Sequence, residues 1–75
     1  MNNDIIIDHM SIYEKAKVIG DRAVQISNGS KPNIEIQDKT LNAKQIALME
    51  LRARKCPLKI VKKGKMVSVN DLIIP

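Results

Sequence analysis

The side chains able to do covalent or acid–base chemistry are few in this chain and far apart. It has one histidine, His9, and one cysteine, Cys56. A structural zinc takes four such ligands, and a thiol nucleophile needs a base beside it and a group that orients the base. His9 and Cys56 supply neither arrangement, and no Ser or Thr has an evident base. Asp4 and Asp8 come nearest to paired carboxylates, but they precede the first predicted helix in a stretch with no predicted pocket, which argues against acid–base work. "NGS" and "KKGK" lack the glycine spacing and the strand-to-helix context of a phosphate loop. The expectation is a protein with no catalytic residues, no cofactor and no metal of its own. A lone Cys also precludes an intrachain disulfide and fits a reducing compartment, with Cys56 itself expected to be a buried thiol.

Two charges do stand where apolar side chains are expected. Arg22 lies at the edge of the apolar stripe of a first predicted helix, and Glu50 lies inside that of a second. Burying either alone is costly, so each needs a partner of opposite charge. That partner is the other residue, if the helices pack through their apolar faces, or a residue on another chain. Gly20 is the third anomaly. Glycine costs about 1 kcal/mol relative to alanine inside a helix, which predicts a backbone or bulky side chain close by.

These residues are positioned by recognisable elements. Ser11 followed by Glu14 is a capping box that starts the first helix. Ile12, Ala16, Ile19, Ala23 and Ile26 follow at spacings of four and three, and "SNGS" ends the helix with Asn28 or Gly29 in a left-handed cap. "KPNIEIQDKTL" reads as a linker loop. The second helix runs from near Asn42, a cap residue, to about Lys55, where the residue before Pro57 disfavours helix. Its stripe is Ala43, Ile46, Ala47, Met49 and Ala53, with Leu51 at one margin. "LKIVKK" and "KMVSVND" then flank Lys63-Gly64, a two-residue hairpin turn, with Leu58, Ile60, Val67 and Val69 predicted to face inward. The fold class is therefore α+β: two main helices joined by a long loop, followed by a short C-terminal β-hairpin. Residues 1–10 read as a flexible segment apart from Ile5, Ile6 and Ile7, predicted to dock as a short strand. "LIIP" closes the chain as a second small apolar tail.

With 75 residues the chain forms one domain at most, with a marginal core that neither disulfide nor metal can reinforce. The missing stability is expected from a protein partner. A net charge of +5 permits contact with nucleic acid or an acidic protein, and the densest cluster, "KIVKKGK", is either a solvated hairpin tip or a phosphate contact. Tyr13 is the sole aromatic residue, so the stacking platforms of single-strand binders are missing. No apolar run is long enough to span a membrane.

"YEKAKVIGDRAVQIS" followed by "IALMELRARKCPLKI" resembles the small assembly subunit of cellular DNA-directed RNA polymerases, called omega in bacteria, subunit K in archaea and the sixth subunit in eukaryotes. The archaeal and eukaryotic forms are the more similar. The likeness rests on Tyr13, Glu14, Gly20, Arg22, Ala23, Gln25 and Ile26 in the first block and on Ile46, Ala47, Glu50, Leu51, Lys55, Pro57 and Leu58 in the second. It implies one omega-like domain over residues 11–75 and a non-catalytic subunit that binds the largest polymerase subunit and promotes its assembly. Tyr13, Glu14, Gly20, Arg22, Gln25, Glu50, Pro57 and Leu58 are the implied assembly residues. The implied partners are the largest subunit and the rest of the core, with no base-specific nucleic-acid contact, no membrane and no small-molecule substrate. The implied compartment is the cytoplasm for an archaeal protein, or the nucleus or virion for a eukaryote or a large DNA virus. The alternative reading is a free-standing basic nucleic-acid-binding module.

Overall fold

A computed structural model of the chain describes residues 8–75. The strand predicted at Ile5–Ile7 and the carboxylate of Asp4 lie outside the described residues. Helix α1 (Ile12–Ser27) starts at the capping box: Ser11 Oγ accepts from the Glu14 N–H at 3.0 Å while Glu14 Oε1 accepts from the Ser11 N–H at 2.8 Å. It ends where Gly29 adopts a φ of +103°, which lets the N–H groups of Ser30 and Gly29 reach back to the carbonyls of Gln25 and Ile26. Helix α2 (Ala43–Arg52) is capped in the same reciprocal way by Asn42 and Gln45, both bonds being 2.9 Å.

Helix α2 stops three residues short of the predicted Lys55. The cause is not Pro57 but Arg54, whose left-handed φ of +61° closes a Schellman cap with Lys55 N–H on Glu50 O at 2.9 Å and Arg54 N–H on Leu51 O at 3.2 Å. A non-glycine residue there needs outside support. Arg54 Nη1 supplies it by donating to the carbonyls of Asn70 and Leu72.

Strands β1 (Lys59–Lys62) and β2 (Lys65–Ser68) pair antiparallel, with Lys62 opposite Lys65 and Ile60 opposite Val67. Lys63 and Gly64 both have positive φ, 51° and 79°, the type I′ geometry whose twist suits a two-residue hairpin. A single 3₁₀ turn, Val69–Asp71, follows. Within it the Asn70 side chain clasps the Cys56 backbone, donating to its carbonyl at 2.9 Å and accepting from its N–H at 3.1 Å. The architecture is thus the predicted α+β arrangement of two packed helices and a C-terminal hairpin.

The core is built from Met10, Val18, Leu51, Cys56, Val69 and Leu72, with Ile19, Leu58, Ile60, Val67 and Ile74 packed against it. Three expectations change here. On α1 the buried face is Val18, Arg22 and Ala23, while Ile12 is 67% exposed and Ala16 is exposed. On α2 the centre is Ala47, Glu50 and Leu51, so Leu51 lies in the middle of the face and not at its margin, and Met49 is exposed. One cause explains both shifts: Arg22 and Glu50 belong to the core faces, and counting them there turns each face around its helix. The third change concerns the boundary at residue 10. Residues 8–10 are tied down, with Met10 N–H on Ile73 O at 2.8 Å, Ile73 N–H on Asp8 O at 3.0 Å, and the Met10 side chain buried. The closing "LIIP" is correspondingly part of the core through Leu72 and not a free tail.

Candidate functional site

Arg22 and Glu50 meet inside the protein. Arg22 Nε and Nη2 donate to the two carboxylate oxygens of Glu50 at 2.6 and 2.8 Å, the side-by-side geometry in which a guanidinium best matches a carboxylate. Arg22 is 3% exposed and Glu50 0%. The remaining hydrogen-bonding capacity is used as well. Asn33 N–H donates to Glu50 Oε2 at 2.7 Å, Arg22 Nη1 donates to Gln25 Oε1 at 3.0 Å, and Arg22 Nη2 donates to Lys31 O at 3.1 Å. One buried pair therefore fastens α1, α2 and the loop between them. The family likeness singled out Gln25 as an assembly residue without placing it beside the pair, and the loop contacts were missed because they are made by backbone atoms of Lys31 and Asn33, which carry no side-chain signal.

Burial is the largest influence on the Glu50 carboxyl and pushes its pKa up. The Arg22 hydrogen bonds, the Asn33 N–H and the attraction of the guanidinium together outweigh it, holding Glu50 below its ordinary 4.5. Arg22 is shifted up, first by its hydrogen bonds to Glu50 and against the effect of burial. Glu14 is lowered, chiefly by its 2.7 Å contact with Lys62, which joins the start of α1 to β1. Carboxyls depressed in the folded state add stability that is complete above their unfolded pKa and is lost as pH falls through the folded value. The thermal midpoint should therefore be flat from about pH 7 to about 5 and fall steadily in more acid solution. Glu50→Gln should flatten the acid limb in circular-dichroism melts. An identical acid limb in that variant would show that another group carries the dependence.

The other implied residues are placed as follows. Tyr13 is 84% exposed, Pro57 is exposed, and Leu58 packs on the core. Among the described residues Gly20 has no close neighbour: a Cβ built there meets nothing within 4 Å. It opens instead onto a groove between α1 and the start of α2, lined by Ala23, Val24, Ser27 and Ala43 among others. Tyr13, Ala16, Gly20, Val24 and Ser27 follow one another at spacings of three and four and so share one helix face. It carries no charge and is not covered by any of the described residues, with Val24 60% exposed. The regular Ile–Ala stripe masked this second face, because Ile12 and Ala16 were counted toward the core.

Cys56 is buried in the core, and burial, the leading influence, pushes its thiol pKa up, so it stays protonated at neutral pH. Among the described residues no cluster of three or more His, Cys, Asp or Glu side chains is placed to hold a metal ion, and no helix is long and apolar enough to cross a membrane.

The profile of the RNA polymerase Rpb6 family matches residues 4–58, which include both helices and both members of the buried ion pair. The chain belongs to the RNA polymerase Rpb6 family. Relatives within and around the family extend the comparison. Over 50 residues, 67% of this chain, it is 44% identical to the Dictyostelium discoideum protein named DNA-directed RNA polymerases I, II, and III subunit rpabc2, of which those residues cover 37%. Over 51 residues, 68% of this chain, it is 41% identical to the Arabidopsis thaliana DNA-directed RNA polymerases II and V subunit 6B, covering 35% of that protein. Over 48 residues, 64% of this chain, it is 42% identical to subunit Rpo6 of the DNA-directed RNA polymerase of Methanothermobacter thermautotrophicus, covering 77% of it. The chain thus spans a little over a third of the eukaryotic relatives and most of the archaeal one. The Rpb6 family match stops at Leu58, so the hairpin lies beyond it.

Proposed function

We propose that the chain is an accessory, non-catalytic subunit of a multisubunit DNA-dependent RNA polymerase, bound to the largest subunit and promoting its assembly and stability. The observation that carries this reading is the uncharged, uncovered face of α1 with open space at Gly20, on a chain whose relatives are named as polymerase subunits. Tyr13, Gly20 and Val24 make the contact, together with Pro57 and Leu58 in the connection from α2 to β1. Glu14, Arg22, Gln25 and Glu50 hold that surface in shape from within. The compartment is that of the polymerase the chain joins.

Gly20→Leu tests the proposal because its two effects have opposite signs. The free chain has room for the side chain and gains helix propensity, so it should become more stable by about 0.5–1 kcal/mol. The same side chain overfills the contact, so recovery of the largest subunit with the tagged chain, purified from its own source, should drop roughly tenfold or more. Undiminished recovery, or recovery of wild-type chain without any large polymerase subunit, would overturn the reading.

A further inference from the structure

Among the described residues one edge of the hairpin is unpaired, and the register identifies its atoms. The two-residue turn makes Lys62↔Lys65 and Ile60↔Val67 the hydrogen-bonded pairs, and Val69 N–H on Leu58 O at 3.2 Å continues the same parity. Lys59 and Val61 therefore direct their N–H and C=O groups away from β2. Among the described residues these four backbone groups have no hydrogen-bond partner. They border a groove of about 320 Å³ between β1 and α1 whose lining includes Val18, Leu58 and Ile60, with Lys17, Asp21 and Lys59 at its exposed margins.

We propose that this edge accepts an extended segment of another polymerase subunit as a third β-strand, an inference that rests on the polymerase reading above. The segment is apolar at alternate positions, which fill the groove over Val18 and Ile60, and it carries a carboxylate beside Lys59. Charge complementarity selects this occupant. Arg52, Arg54, Lys55, Lys59, Lys62, Lys63 and Lys65 fall in a stretch without one acidic residue. Lys62 is neutralised by Glu14, and Lys63 comes to 3.7 Å from Asp8. No carboxylate among the described residues lies within 4.0 Å of Lys59 or Lys65. A second copy adding through the same edge would lay two hairpins that each carry Lys59, Lys62, Lys63 and Lys65 side by side, like charge near like charge. A nucleic acid offers no alternating N–H and C=O groups to complete the ladder. Strand addition of this kind takes its affinity from main-chain hydrogen bonds and its selectivity from alternate side chains.

Val61→Pro deletes the outward N–H of β1 without touching a hairpin hydrogen bond, and Met66→Pro does the same on the outer edge of β2. In pull-downs of the source organism's polymerase core with the tagged full-length chain, Val61→Pro should bind roughly tenfold more weakly, the loss expected from removing a strand hydrogen bond and its neighbour, while Met66→Pro binds as wild type. Hydrogen exchange gives a readout that needs no variant: the Lys59 and Val61 amides should exchange freely in the isolated chain and become protected in the polymerase. Wild-type binding by Val61→Pro, equal loss in both variants, or unprotected Lys59 and Val61 amides in a chain that does enter the polymerase would overturn strand addition alone. Failure of the wild-type chain to enter the polymerase would overturn both readings, and concentration-dependent dimers blocked by Val61→Pro would assign the edge to a second copy.

Discussion

Glu50→Ala should remove about 3–5 kcal/mol of folding stability, enough to leave much of the isolated chain unfolded at room temperature. The size of the effect follows from what is stranded. The guanidinium of Arg22, itself buried, loses both of its carboxylate bonds, and Asn33 N–H loses its acceptor. Water cannot replace them without opening the contact between α1 and α2. A domain of about this length has only about 4–11 kcal/mol to lose. Arg22→Ala should be almost as damaging, for it leaves a carboxylate at 0% exposure facing one backbone donor. The pair replaced together, Arg22→Met with Glu50→Leu, should come within about 1–2 kcal/mol of wild type, because well-packed apolar groups of similar volume often match a buried ion pair. Urea unfolding of wild type, Glu50→Ala, Arg22→Ala and the variant carrying both alanines completes a double-mutant cycle. Additive losses would contradict the direct pairing.

The same pair explains how far the fold can be read from the sequence. A charge in an apolar stripe demands a partner, so Arg22 and Glu50 could be matched before any coordinates, and the internal alternative is the one the structure adopts. The signals that place α1, the start of α2 and the hairpin turn are local: Ser11 with Glu14, Asn42 with Gln45, and Lys63 with Gly64 each act within a few residues. What was illegible is non-local. The early end of α2 depends on Arg54 holding a left-handed conformation, and that depends on carbonyls of Asn70 and Leu72 far along the chain. Asn70 clasping Cys56 is equally invisible, since the acceptor and donor are backbone atoms. Gly20 was legible as an anomaly whose close neighbour could lie inside the chain or across an interface, and among the described residues the space beside it is open.

The placement of the interior pair also clarifies the division of labour on α1. Val18, Arg22 and Ala23 are buried, and Tyr13, Ala16 and Val24 are exposed on the face that Gly20 shares, so one helix of 16 residues carries two distinct faces with Lys17 and Asp21 bridged by a salt bridge at 3.2 Å on the flank between them. Mutations on the inner face should register as stability and those on the outer face as association. That separation makes the Glu50 and Gly20 substitutions independent tests.

Leu72→Ala should be the second severe change, costing about 2–5 kcal/mol as a large-to-small substitution in a core that offers little room to relax. Leu72 is fully enclosed together with Leu51 and Val69, and its carbonyl receives the Arg54 guanidinium. It therefore joins three pieces of chain: the cap of α2, the 3₁₀ turn, and the closing segment on which residues 8–10 are hung. Shrinking it should loosen the last of these first. Met10 N–H depends on Ile73 O and Ile73 N–H on Asp8 O, and the burial of Met10 and Leu72 holds that bridge together. Amide exchange at Met10 and Ile73 should thus accelerate more than exchange at Leu51, whose N–H lies within α2. Ile73→Ala, by contrast, trims a side chain that is already part-exposed and should leave both the midpoint and the bridge nearly intact. A Leu72→Ala protein that loses under about 1 kcal/mol and keeps Met10 protected would mean that the closing segment is held from outside the core, and that the fold does not depend on its own C-terminus.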